Sequence, residues 1–93
     1  MTITTETPEA RKKKLAMRAA RRGMKEMDIV LGPFAATRLA AMTTTEIDIF
    51  DRLLWENDQD ILPWILGQKT PPQDYAALIA EIAVFAQESL SNP

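Results

Sequence analysis

The run Arg21-Arg22-Gly23-Met24-Lys25-Glu26-Met27-Asp28 gathers the groups in this chain best able to grip another molecule. Guanidinium and carboxylate groups make directional, charge-assisted hydrogen bonds. A glycine among them leaves the backbone bare, so that a second surface can come close. The chain has no histidine and no cysteine, which removes catalytic triads, thiol nucleophiles and the usual zinc sites. Its three glycines form neither a phosphate loop nor a dinucleotide fingerprint. The cluster therefore suits holding a partner better than covalent chemistry, and no catalytic residue or metal ligand is expected.

Other candidates have plainer explanations. Glu56-Asn57-Asp58-Gln59-Asp60 crowds carboxylates but lacks the spacing and glycine of a calcium loop, so helix capping accounts for it better. Trp64 sits among Ile61, Leu62, Ile65 and Leu66 and is expected to be at least half buried. Trp55 follows Leu53-Leu54 out of register with the apolar stripe and is the better candidate for exposure. An intrahelical Arg22–Glu26 pair would contribute only about 0.3 kcal/mol in this order. That is less than the roughly 1 kcal/mol a helical Gly23 costs; neither a salt bridge nor Glu26 and Asp28 complementing the second helix's N-terminus explains the glycine.

Helices must position these groups. Thr7-Pro8-Glu9-Ala10 reads as a helix start, with threonine as N-cap and proline in the first turn. Met17, Ala20, Met24, Met27 and Leu31 recur at helical intervals. A break at Gly23 divides the run into helices over about 9–21 and about 24–38, and Gly32-Pro33 is expected to kink or loosen the second. Thr43-Thr44-Thr45-Glu46 matches a capping box before a third helix over about 44–56. A turn at Asn57–Asp60 precedes a short fourth helix over about 61–66, with Pro63 in its first turn and Gly67 as a left-handed cap. Thr70-Pro71-Pro72-Gln73 reads as a second capping box, with its prolines in the first turn of a fifth helix reaching about residue 90. With no alternating strand pattern, the expectation is an all-α, compact five-helix bundle. Residues 1–8 form a flexible leader, 9–90 a single helical domain and 91–93 a tail.

Charge divides unevenly along the 93 residues. Residues 1–28 carry eight basic and four acidic side chains, and residues 29–93 carry three and nine. A basic segment raises nucleic acid as a partner, through Arg11, Lys12, Lys13, Lys14, Arg18 and Arg21. Against a small RNA-binding or ribosome-associated protein stand the acidic body and the lack of aromatics in the basic stretch. A generic helical adaptor is a third, weaker option. No apolar run approaches the roughly 18–20 residues of a membrane-spanning helix. The polar, acid-containing leader resembles neither a secretion signal nor a transit peptide, so a bacterial cytoplasm is the expected location.

The same run carries a resemblance. Arg21 to Asp28, followed by Leu31 and Phe34, resembles the Arg-Gly-x-x-Glu signature of the flavinylation factors of succinate dehydrogenase, the assembly factor 2 or SdhE family. The similarity continues through Phe50-Asp51-Arg52-Leu53-Leu54, Asp58-Gln59-Asp60-Ile61 and Trp64-Ile65-Leu66-Gly67. It covers residues 11–67 in order, the fifth helix fits by pattern, and Trp55 and Pro63 are less typical of the family. The resemblance implies a five-helix assembly factor that binds the flavoprotein subunit of succinate dehydrogenase, and often of fumarate reductase. Such a factor promotes covalent attachment of FAD to a histidine of that partner. The chain would hold no flavin stably, form no bond itself and be a monomer when free. Arg22, Gly23 and Glu26 would centre the docking surface, with Arg21, Met24 and Asp28 beside them. In this reading Arg22 reaches a partner acceptor, and Glu26 meets a partner donor or holds Arg22 in place. Truncating either would weaken binding with little loss of fold stability.

Overall fold

Thr7 opens the first helix as its sequence suggests: its Oγ1 accepts the Ala10 amide at 3.1 Å, and Pro8 is the first helical residue. The computed structural model describes residues 7–91, with side chains to residue 88. Residues 1–6 of the expected leader and 92–93 of the expected tail lie outside the described residues. Helix α1 runs Pro8–Ala20 and α2 runs Lys25–Arg38, followed by a 3-10 turn at Leu39–Ala41. Then come α3 (Thr44–Leu53), α4 (Asp58–Ile65) and α5 (Gln73–Ser91). The described residues contain no strand, and the architecture is the expected all-α bundle of five helices. No helix among them is long and apolar enough to cross a membrane.

α5 packs against α2, α3 and α4, while α1 lies on α2. Phe34 is fully buried at the centre, with ring centroids 6.0 Å from Phe50 and 5.6 Å from Phe85. Leu15, Met27, Leu31, Leu53, Ile61 and Ile82 close around it. The α1 stripe differs from the expected one: Leu15 and Ala19 are buried, whereas Met17 and Ala20 face solvent. Residues 21–24 are not helical, so the phase set by Met27 and Leu31 does not run back into α1. Leu15 and Ala19, four residues apart, set its register instead.

α2 continues through Gly32 and Pro33 as a single helix. A Cβ on Gly32 would stand 3.4 Å from Ala20 Cα, so this glycine permits the close crossing of α1 and α2. Pro33 lacks the amide that would bond to Ile29. Both residues are exposed, on the side where water can solvate the freed carbonyl.

The capping box of α3 is complete: Glu46 N donates to Thr43 Oγ1 at 3.2 Å, and Thr43 N donates to Glu46 Oε1 at 2.8 Å. α3 ends at Leu53, three residues early, and α4 begins at Asp58, three residues early. Asn57 is the reason, since its Oδ1 accepts the Gln59 amide at 3.0 Å and starts a new helix. Pro63 consequently lies inside α4 and not in its first turn. Gly67 adopts φ 76°. Gln68 N donates to Pro63 O at 2.8 Å and Gly67 N to Trp64 O at 3.3 Å, the paired bonds of a Schellman ending. α5 starts only at Gln73, so Pro71 and Pro72 precede it; Thr70 stands too far upstream to cap it.

Candidate functional site

The turn between α1 and α2 is held from within by residues of the basic and acidic run. Asp28, in the first turn of α2, accepts the Arg22 backbone amide on Oδ1 at 2.7 Å. Met24 is the N-cap residue of α2 with no side-chain cap, and its carbonyl accepts from Met27 and Asp28 at 3.1 and 3.0 Å. Met24 also packs, partly buried, against the core. Met24 and Asp28 thus shape the turn.

The Arg22 side chain points into the protein. Its Nε donates to Asp58 Oδ1 at 2.6 Å, its Nη2 to Glu56 O at 2.7 Å, and its Nη1 to Leu54 O. The guanidinium fork thereby ties the α1–α2 turn to the α3–α4 turn, reaching both carbonyls that flank Trp55. Glu56 is fixed from its other side, because Tyr75 Oη donates to Glu56 Oε2 at 2.8 Å. Burial, and then the hydrogen bond to this carboxylate, raise the Tyr75 pKa above its ordinary value. The Tyr75 ring lies 6.0 Å from that of Trp64, which is half-buried.

Glu26 does not hold Arg22. It is exposed and, among the described residues, forms no ion pair or side-chain hydrogen bond. Gly23 is exposed too, its φ is not positive, and a Cβ there would meet nothing within 4 Å. Neither backbone conformation nor crowding requires glycine at this place. Gly23 instead borders an open depression of about 450 Å³, lined with Met17, Arg18, Arg21, Arg22 and Asp58. Arg21, which lines it, is exposed. Of the six expected contact residues, Arg21, Gly23 and Glu26 are therefore outward, while Arg22, Met24 and Asp28 build the turn that carries them.

A second set of ion pairs fastens α1 to α3. Arg11 Nη1 lies 2.7 Å from Asp48 Oδ1 and its Nη2 3.1 Å from Asp51 Oδ2; Arg18 Nη1 lies 2.8 Å from Asp51 Oδ1. Burial opposes ionisation of Asp51, but the hydrogen bonds from Arg18 and Arg11 prevail and hold its pKa below the ordinary value. Arg18 also stacks on the Trp55 ring, 4.6 Å from the centroid. Lys12 Nζ donates to Ala40 O at 3.2 Å. Arg11, Lys12 and Arg18 are thus engaged with oxygen atoms of this chain, which weakens the nucleic-acid reading.

Sequence reasoning placed Trp55 at the surface but did not join it to the glycine turn, and it read Asp58 as a capping group and as part of the family resemblance, not as a partner of Arg22. The Arg22–Asp58 contact spans 36 residues, a separation that leaves no local periodicity to detect.

Residues 13–86 match the family model described as flavinator of succinate dehydrogenase. The FAD assembly factor SdhE of Legionella pneumophila (strain Lens) is 32% identical over 72 residues, covering 77% of this chain and 91% of that protein. The mitochondrial succinate dehydrogenase assembly factor 2 of Dictyostelium discoideum is 32% identical over 82 residues, 86% of this chain and 58% of that protein. Its counterpart in Candida glabrata is 38% identical over 68 residues, 72% of this chain and 44% of that protein. With a clasped helical turn that offers a bare glycine, and with matches across nearly the whole folded region, the chain belongs to the flavinator family of succinate dehydrogenase assembly factors.

Proposed function

We propose that this protein docks on the flavoprotein subunit of succinate dehydrogenase through the face around Gly23 and promotes covalent attachment of FAD to a histidine of that subunit. The observation that carries this reading is the glycine itself. It is unforced by the fold and uncrowded, and it stands between an exposed Arg21 and an exposed Glu26. A side chain there would stand between the turn and any partner, so a bare backbone favours close approach.

The chain supplies no histidine or cysteine, so its role is to hold the flavoprotein in the conformation in which the partner's histidine and FAD are aligned. Orientation alone can contribute several kcal/mol to a reaction (about 7–11 at the limit), and binding one conformation selectively raises its population. FAD enters as a substrate of the partner's own reaction. Arg22, Met24 and Asp28 act by shaping the turn; Arg21, Gly23 and Glu26 make the contact. The protein works in the bacterial cytoplasm, reaches the flavoprotein as a monomer and keeps no flavin. The fumarate reductase flavoprotein is a second client to be tested.

Co-expression with the succinate dehydrogenase flavoprotein, followed by fluorescence of covalent flavin in a denaturing gel, tests this directly. Covalent flavin should rise with the wild-type chain and the two proteins should co-purify. Equal flavin loading with and without the chain would overturn the reading.

A further inference from the structure

Trp55 is 79% exposed and Met17 53%. Met17 lines the depression beside Gly23, and so does Arg18, whose guanidinium covers one side of the Trp55 ring. The indole is therefore continuous with the glycine face through Arg18. Its place is also set from below. Arg22 donates to the carbonyls of Leu54 and Glu56, the two residues that flank Trp55 in the chain. Arg18 is itself held by Asp51 at 2.8 Å. Its Nη2 is buried without a hydrogen-bond acceptor, leaving the negative face of the indole as the compensating group.

We propose that Trp55 is an anchor by which this chain holds the succinate dehydrogenase flavoprotein, entering an apolar recess rimmed by carboxylates, and that Arg22 is the positioning residue that aims it. This rests on the docking reading given above and adds a contact outside the Arg-Gly-x-x-Glu run. Three features favour that occupant. The indole is linked to the glycine turn, through which docking is proposed, by Arg18. Arg18 stacks on the ring, and Arg21, exposed and lining the same depression as Arg18, offers a positive charge that complements carboxylates. An aromatic side chain restrained before binding also loses little rotamer freedom on association, and tryptophan and arginine are the residues that most often dominate interfaces.

Binding of the full chain to the purified flavoprotein should be titrated for wild type, Trp55→Ala, Trp55→Phe, Arg22→Lys and the Trp55→Ala/Arg22→Lys pair. Trp55→Ala should weaken association roughly thirtyfold, the scale of an interface hot spot, far more than the small fall in the unfolding midpoint expected from losing the Arg18 stack, and Trp55→Phe should recover part of the loss. Arg22 also shapes the glycine turn, so Arg22→Lys weakens binding by two routes; if one of them is the aiming of Trp55, the loss in the double variant is smaller than the sum of the single losses, and fully additive losses would overturn the positioning role. Oxidative footprinting of the wild-type complex gives a check independent of substitution: the Trp55 indole should become protected. Undiminished binding by Trp55→Ala, or an indole that oxidises equally fast in the complex, would overturn the anchor while leaving the docking reading intact. Self-association of wild type that Trp55→Ala abolishes, with flavoprotein affinity unchanged, would assign the face to a second copy and overturn it too. A wild-type chain that fails to bind the flavoprotein at all would bring down both proposals.

Discussion

Arg22 Nε and Asp58 Oδ1 stand 2.6 Å apart, joining the turn after α1 to the first residue of α4. Only 12% of the arginine side chain and 14% of the aspartate side chain remain exposed. Breaking such a pair leaves its other member desolvated without a counter-charge.

Arg22→Ala should therefore lower the unfolding free energy by about 3 kcal/mol, measured by urea denaturation. Lysine has one donor centre and cannot reproduce the fork, so Arg22→Lys should recover only part of the loss. Here the structure reverses the sequence-based expectation that truncating Arg22 would spare the fold.

Glu26→Ala should separate function from stability. The side chain is exposed and without an internal ion pair among the described residues, so its removal should cost the fold no more than the roughly 0.5 kcal/mol of a carboxylate in the first turn of α2. If Glu26 is desolvated against the flavoprotein, binding should weaken by about 2–5 kcal/mol, and covalent flavin should fall with it. Wild-type flavin loading by this variant would remove Glu26 from the contact.

Gly23 allows the same separation through size. Open space and an ordinary φ mean that Gly23→Ala should raise folding stability by about 0.5 kcal/mol, by restricting the unfolded chain. Gly23→Leu should still fold, yet lose flavoprotein binding in a co-purification assay. A leucine variant that binds as well as wild type would show that no surface comes close at this turn.

The α1–α3 clamp should be acid-sensitive. Asp51 titrates below its ordinary value of 3.8, so the unfolded chain binds its proton more readily and stability rises with pH through that window. The contribution is complete above the unfolded value and disappears as pH falls through the lower folded one. Urea unfolding followed from about pH 5 to pH 2 should show this slope, and Asp51→Asn should flatten it.

Local chemistry made much of this architecture legible. Thr7, the Thr43/Glu46 box, the break at Gly23 and the left-handed Gly67 each act within a few residues, so sequence alone located them. The misplaced features depended on competition or on distance. Asn57 captured Asp58–Asp60 for α4, and Gly32 served a helix crossing that only the folded chain creates. The candidate site divides in the same way. Residue types marked the run from Arg21 to Asp28 as the candidate for recognition, but which of its members face outward depends on carbonyls more than thirty residues downstream.

Arg22 bonds to peptide oxygens on either side of position 55, and peptide oxygens are common to every amino acid. That fastening is thus indifferent to what residue 55 is, and of the contacts made around that position only the Arg18 stack depends on the indole. A scaffold arranged in this way leaves position 55 open to a different side chain while Arg22 keeps the two turns joined.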